Sequence, residues 1–191
     1  MDILAHGLWA TAGAIGLRRK TQIATSLGWA AFWGAFPDLL SFIIPATVRI
    51  WWRLTGTTRS LLPDPHGPQH FQFVWQLYHA SHSLVVFGLA FGLVWLFARR
   101  PVYSMLAWAL HIAIDIFTHR GIFATHFLWP FSSYGWDGTP WEGVRFLAVN
   151  YIVLAAIYLL ILRSARSARK QRTSAKVPVG ATGGRVSSFP K

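Results

Sequence analysis

Residues 102–119 read VYSMLAWALHIAIDIFTH. The run is too long and too evenly apolar for a strand, and its length and composition read as a helix in an apolar environment. Yet His111, Asp115 and His119 interrupt it at intervals of four. On a helix that spacing brings the three side chains to one face with modest drift. An ionisable carboxylate inside a lipid-embedded helix costs a few kcal/mol and is a functional hypothesis by default. Imidazole and carboxylate one turn apart can hold a hard-to-borderline divalent ion, and zinc accepts such nitrogen and oxygen donors. A hydrogen-bonded polar seam is the plainer alternative.

The rest of the chain supports a membrane setting. Of 191 residues, 53% are hydrophobic and only 13% charged, against about 25% charged in soluble domains. Eleven tryptophans suit the membrane–water boundary. With no cysteine, disulfides and thiolate metal sites are excluded, so a metal here needs nitrogen and oxygen ligands.

Five apolar stretches stand out: Ile3–Leu17, Gln22–Phe36, Leu84–Ala98, Val102–Thr118 and Arg145–Leu162. They predict an all-α polytopic bundle of about five transmembrane helices. Leu39–Trp52, interrupted by Ser41, Pro45 and Arg49, is expected to lie along the interface, and Leu54–Gly67 to form a loop. Gln69–Ala98 could be one long helix. Residues 1–162 form the membrane domain on this reading, and residues 163–191 a basic, disordered tail.

The net charge is +12, but its placement points away from nucleic acid. Arg18, Arg19, Lys20, Arg99, Arg100 and the basic residues from Arg163 onward make 13 of the 18 Lys and Arg, all on one side if the helices alternate. That asymmetry predicts a cytoplasmic C-terminus and an N-terminus outside. The tail's expected partner is anionic lipid. Basic residues follow the first apolar run instead of preceding it, so no signal peptide is expected.

All six acids and all eight histidines fall toward the opposite end. His6 opens the first helix, Asp38 follows Pro37, His82 enters the third helix, and His111, Asp115 and His119 leave the fourth. Ser81 and Ser83 flank His82 and could fix its tautomer. Asp38 could otherwise serve as an N-cap. His79, His126 and Asp137 are possible neighbours, and His66 and His70 are expected to be solvated. Trp75, Trp129, Trp136 and Trp141 read as an interfacial belt. Gly88 and Gly92 form GxxxG, a close-packing element of membrane helices.

In this order, AHGLWATAG, FPDLL, LYHASHSLVV, HIAIDIFTH and FLWPFSSYGWDG resemble the membrane-bound metal-dependent hydrolase family of bacteria and archaea, which includes the YdjM-like inner-membrane group and domain of unknown function 457. The resemblance spans roughly residues 1–162. It implies metal ligands at His6, Asp38, His82, His111, Asp115 and His119. Leu40 stands where many relatives carry a second acid, and Leu77 where some carry a histidine. The order of ligands is also similar, more loosely, to zinc-dependent phospholipase C and single-strand-specific zinc nucleases, which suggests a phosphoester.

The expected function is therefore hydrolysis of a phosphoester or lipid-like substrate at the membrane interface. One or two divalent ions, expected to be zinc, would activate the water. Asp38 and Asp115 are the catalytic candidates, to bridge metals or orient that water. The alternative is a non-enzymatic metal-binding membrane protein, a carrier or scaffold. A carrier needs polar residues on both sides of the midplane, and here they are confined to one.

Overall fold

The structure, a computed structural model, describes residues 1–56 and 72–175. Among these there are six α-helices and no strand. They are α1 (Ile3–Thr21), α2 (Leu27–Leu54), α3 (Gln72–Ser81), α4 (Leu84–Ala98), α5 (Leu106–Thr118) and α6 (Val144–Ala175). Met1–Leu154 is one compact unit and holds everything discussed below as a site. Ala155–Lys191 is the second unit, whose described part is the remainder of α6.

Local chemistry sets the helix ends. Asp2 caps α1 by accepting the Ala5 amide at 2.9 Å, and Arg18, Arg19 and Lys20 close it beside its last carbonyls. Ser26 caps α2 through the Trp29 amide. Ser83 caps α4, accepting the Val85 and Val86 amides, while its hydroxyl donates to the Trp129 carbonyl.

Helices α1 and α2 cross where Gly34 has no side chain. A Cβ there would collide with Ala10 Cβ and lie 3.0 Å from the His6 carbonyl oxygen. Against α2 packs α5, through Trp108: its ring stacks on Trp33 at 6.0 Å and meets Phe36 and Phe87 edge-on, and its indole N–H donates to the Ser81 carbonyl at 2.6 Å. Loop residues 138–141 seal the end of α5. Gly138, Thr139 and Trp141 donate their amides to the carbonyls of His119, Phe117 and Thr118 at 2.8, 2.9 and 3.2 Å, which supplies donors that the last turn of a helix lacks.

Among the described residues, two helical segments, Leu27–Val48 and Val144–Gln171, are long and apolar enough to cross a membrane. Helices α3 and α4 make a third if the bent pair counts as one span. Neither α1 nor α5 meets that test. The outward faces are apolar nonetheless: α4 has no buried residue, and Phe97 is 82% exposed.

Several expectations are corrected. The expected span Gln22–Phe36 and interfacial segment Leu39–Trp52 are not separate elements: from Leu27 onward both belong to α2, which continues through Pro37 and Pro45. Proline withholds one amide and crowds the carbonyl four residues back, but a packed helix tolerates this where neighbouring groups supply donors. Gln69–Ala98 is not one helix, because α3 and α4 meet at 67° across His82 and Ser83. The tail is not disordered from residue 163, since α6 runs to Ala175; its Ala, Arg, Lys and Gln are good helix formers. Gly88 and Gly92 contact nothing within 4 Å at their Cβ positions among the described residues, so GxxxG makes no packing seam there. Most of the expected 54–67 loop, His66, His70 and the end of the tail lie outside the described residues.

Candidate metal centre

Four side chains from two helices and one interhelical break converge. Asp38, His82, His111 and Asp115 each offer one donor atom, all within 4.8 Å of one another and all buried. Asp38 follows the proline of α2, His82 sits at the bend between α3 and α4, and His111 and Asp115 are one turn apart on α5.

Backbone carbonyls set the imidazole tautomers. His111 Nδ1 lies 2.6 Å from the Gly34 carbonyl oxygen, and His82 Nδ1 lies 2.9 Å from that of Tyr78. A carbonyl only accepts, so each Nδ1 carries the proton and donates. In a neutral ring, Nε2 is then left as a lone pair. These two Nε2 atoms face each other at 3.1 Å. His82 Nε2 is 3.4 Å from Asp38 Oδ1 and 3.5 Å from Asp115 Oδ2, while His111 Nε2 is 3.8 and 3.0 Å from the same atoms.

Two lone pairs and two carboxylate oxygens pointed at one place repel unless a cation joins them. Tetrahedral zinc with bonds of about 2.0–2.1 Å separates its donors by about 3.3–3.4 Å. The five distances above, 3.0 to 3.8 Å, bracket that value. Asp115 Oδ2 is buried and has no hydrogen-bond partner despite its near nitrogens, because its neighbours present no aligned N–H to it. The residues present therefore fit a divalent ion held by two nitrogens and two oxygens.

His6 and His119, expected in the same set, go to the other side of Asp115. His6 Nε2 and His119 Nδ1 each lie 3.0 Å from Asp115 Oδ1, and the Met1 amino nitrogen is 2.7 Å from the same oxygen. The His6 ring stacks on His111 at 3.7 Å, and neither His6 nitrogen has a hydrogen-bond partner although the residue is 1% exposed. Asp115 thus presents Oδ2 to the four-residue group and Oδ1 to His6 and His119.

Supporting residues differ from those read in the sequence. The His82 tautomer is held by the Tyr78 carbonyl together with Ser81, whose Oγ is 2.9 Å from Nδ1. Ser83 is occupied with α4 and Trp129. Tyr78 was not singled out, yet its ring stacks on His82 at 4.1 Å and its hydroxyl donates to the Phe123 carbonyl. Gly34 was also missed, because its contact with His111 is made by a backbone carbonyl that every residue carries.

His79 and His126 stack on each other at 4.5 Å and stand outside the four-residue group. Burial holds His126 below the usual imidazole range. Asp137 accepts the Gly121 amide at 2.8 Å and braces a turn. Of the four tryptophans read as a belt, Trp141 sits beside His119, with ring centres 6.2 Å apart.

Comparison with protein-family models, with curated proteins and with solved structures finds no match.

Proposed function

We propose that this chain is a membrane-bound metal-dependent hydrolase that cleaves a phosphoester or lipid-like substrate at the membrane interface, with zinc as its ion. One observation carries the reading. The Nε2 atoms of His82 and His111 are turned on each other at 3.1 Å, with Asp38 and Asp115 closing the same buried point. Membership of the membrane-bound hydrolase family rests on the ordered sequence motifs and belongs to the same proposal.

A divalent ion there would lower the pKa of a water toward about 7 and polarise the scissile group. Asp38 is the member of the group that also borders an adjoining cavity. It is placed to accept the proton of the attacking water. Asp115 aligns the two sides through its two oxygens. His6 and His119 hold Oδ1, and they are the residues through which a second ion would be bound.

In the bilayer, α2, the α3–α4 pair and α6 are the spans, with α1 and α5 completing a bundle of about five helices in an inner membrane. The N-terminus is outside and the basic C-terminus is cytoplasmic against anionic lipid. The charge asymmetry of the sequence supports this orientation.

One feature favours a second reading, a non-enzymatic metal-binding scaffold or carrier. Four protein donors make a closed set, which is the habit of structural zinc, whereas catalytic zinc keeps a position open. Metal analysis of wild type beside His111→Ala and Asp115→Ala, followed by a phosphodiester and lipid-ester hydrolysis screen, separates the readings. Bound zinc with metal-dependent hydrolysis supports the enzyme. Bound zinc without hydrolysis, or zinc flux into proteoliposomes, supports the second reading. A folded wild type that binds no divalent metal defeats both.

A further inference from the structure

Beside the metal group lies a cavity of about 910 Å³, at the upper end of the range that takes small molecules. Asp38 and His119 border it, from either side of Asp115. Most of the remaining wall is carbon, from Ile3, Leu4, Phe42, Tyr78, Phe123 and Trp141. A site for a small polar metabolite would have little use for that surface.

The other ionisable side chains on the wall are Asp2 and Glu142, and no Lys or Arg is among the described residues that line it. Asp2 Oδ1 is satisfied, accepting the Ala5 amide at 2.9 Å and the Tyr151 hydroxyl at 2.8 Å. Its Oδ2 is shut off from solvent with no donor. Met1 also lines the cavity, and its amino group is engaged by Asp115 at 2.7 Å.

We propose that this cavity is the substrate chamber and that it takes an amphiphile whose head carries an ammonium group and no net negative charge. This rests on the hydrolase reading of the adjoining metal group. The hydrocarbon part lies along Ile3, Leu4, Phe42 and Phe123, the ester reaches Asp38 and His119, and the ammonium lies in the field of the Asp2 and Glu142 carboxylates. The face of Trp141 adds cation–π attraction. In the cleavage, the water oxygen bonds to the ester phosphorus or acyl carbon, the bond to the leaving oxygen breaks, and that oxygen departs with the water's proton. A head with net negative charge is rejected, because its charge would meet carboxylates on a largely apolar wall with no lysine or arginine among its described residues to offset it.

The test uses two photoreactive phospholipids with the same diazirine-bearing chain, one with an ethanolamine head and one with a glycerol head. Each is mixed with the purified full-length protein in detergent, irradiated, and mapped by peptide mass spectrometry. The ethanolamine probe is expected to label peptides carrying Leu4, Phe42 or Phe123 at least about tenfold more than the glycerol probe, as like-charge juxtaposition demands. Glu142→Gln should narrow that ratio, and Asp2→Asn with Glu142→Gln should abolish it; asparagine still caps α1. Equal labelling by both probes in wild type, or labelling spread evenly along α4, overturns the proposal. The same mapping on His111→Ala keeps the two readings apart. Selective labelling there, with no hydrolysis by metal-loaded wild type, leaves the chamber and removes the enzyme. Hydrolysis that favours the glycerol-headed lipid does the reverse.

Discussion

His82 and His111 approach each other through Nε2 at 3.1 Å, while each gives its Nδ1 proton to a backbone carbonyl, of Tyr78 and Gly34 respectively. Those carbonyls belong to different helices, so the pairing is imposed by the packing of α2 and α3 around α5. The helices hold the donors in place before any ion arrives, which is the condition for tight binding.

It follows that a chelator should destabilise the folded protein. Removing the ion leaves two lone pairs and two carboxylate oxygens facing one another in an apolar interior. An ion present at a thousand times its Kd stabilises by about 4 kcal/mol, and each kcal/mol moves Tm by about 2–4 °C for a chain of this size. Chelation should lower the melting temperature by on the order of 10 °C, and zinc should restore it. An unchanged melting curve would mean that the group is satisfied without metal.

Asp115 should matter more than either of its Oδ1 partners. Its Oδ2 is part of the four-residue group, whereas His6 and His119 touch only Oδ1. Asp115→Asn is expected to weaken zinc binding by about 100-fold or more, and His6→Ala or His119→Ala by about 10-fold, the scale of orienting partners. Competition against a fluorescent zinc chelator measures the order. Equal losses at all three positions would instead indicate that His6 and His119 are ligands themselves.

His126 gives a pH effect separate from the metal. Its folded pKa lies below the usual 6.5 because of burial, so the unfolded chain binds more protons in the window beneath 6.5. Stability is whole above that window and is lost as pH falls through it, because protonation charges a ring that burial has partly removed from water. His126→Gln should flatten that part of the stability–pH curve and leave zinc content unchanged. Loss of zinc in this variant would bring His126 into the metal group.

Much of the site was legible because its signal is periodic. His111 and Asp115 are separated by one helical turn, and the clustering of acids and histidines at one end brought in Asp38 and His82. The spacing overreached at His119. Helix α5 ends at Thr118 and His119 is extended, with φ −112° and ψ 153°, so the residue leaves the helical face and reaches Oδ1. Prolines misled the reading of α2, since each withholds one amide from the helix, yet α2 runs through both Pro37 and Pro45. Backbone acceptors such as the Gly34 carbonyl left no trace, because every residue carries one.

Gly34 provides the sharpest test of how packing makes the site. A methyl group there would collide with Ala10 Cβ and press on the His6 carbonyl, so α1 and α2 must part. Overpacking of this kind costs about 1–3 kcal/mol. The parting also moves the carbonyl that holds His111 and the helix that carries His6, so zinc affinity should fall together with stability. Gly28 sits in the same helix with nothing within 4 Å of its Cβ position. Gly28→Ala should be neutral or stabilising by up to about 1 kcal/mol through helix propensity, with zinc binding unchanged. Thermal melts and zinc titrations of the two variants side by side decide the matter. If Gly34→Ala binds zinc as wild type does, the helix crossing does not position His111.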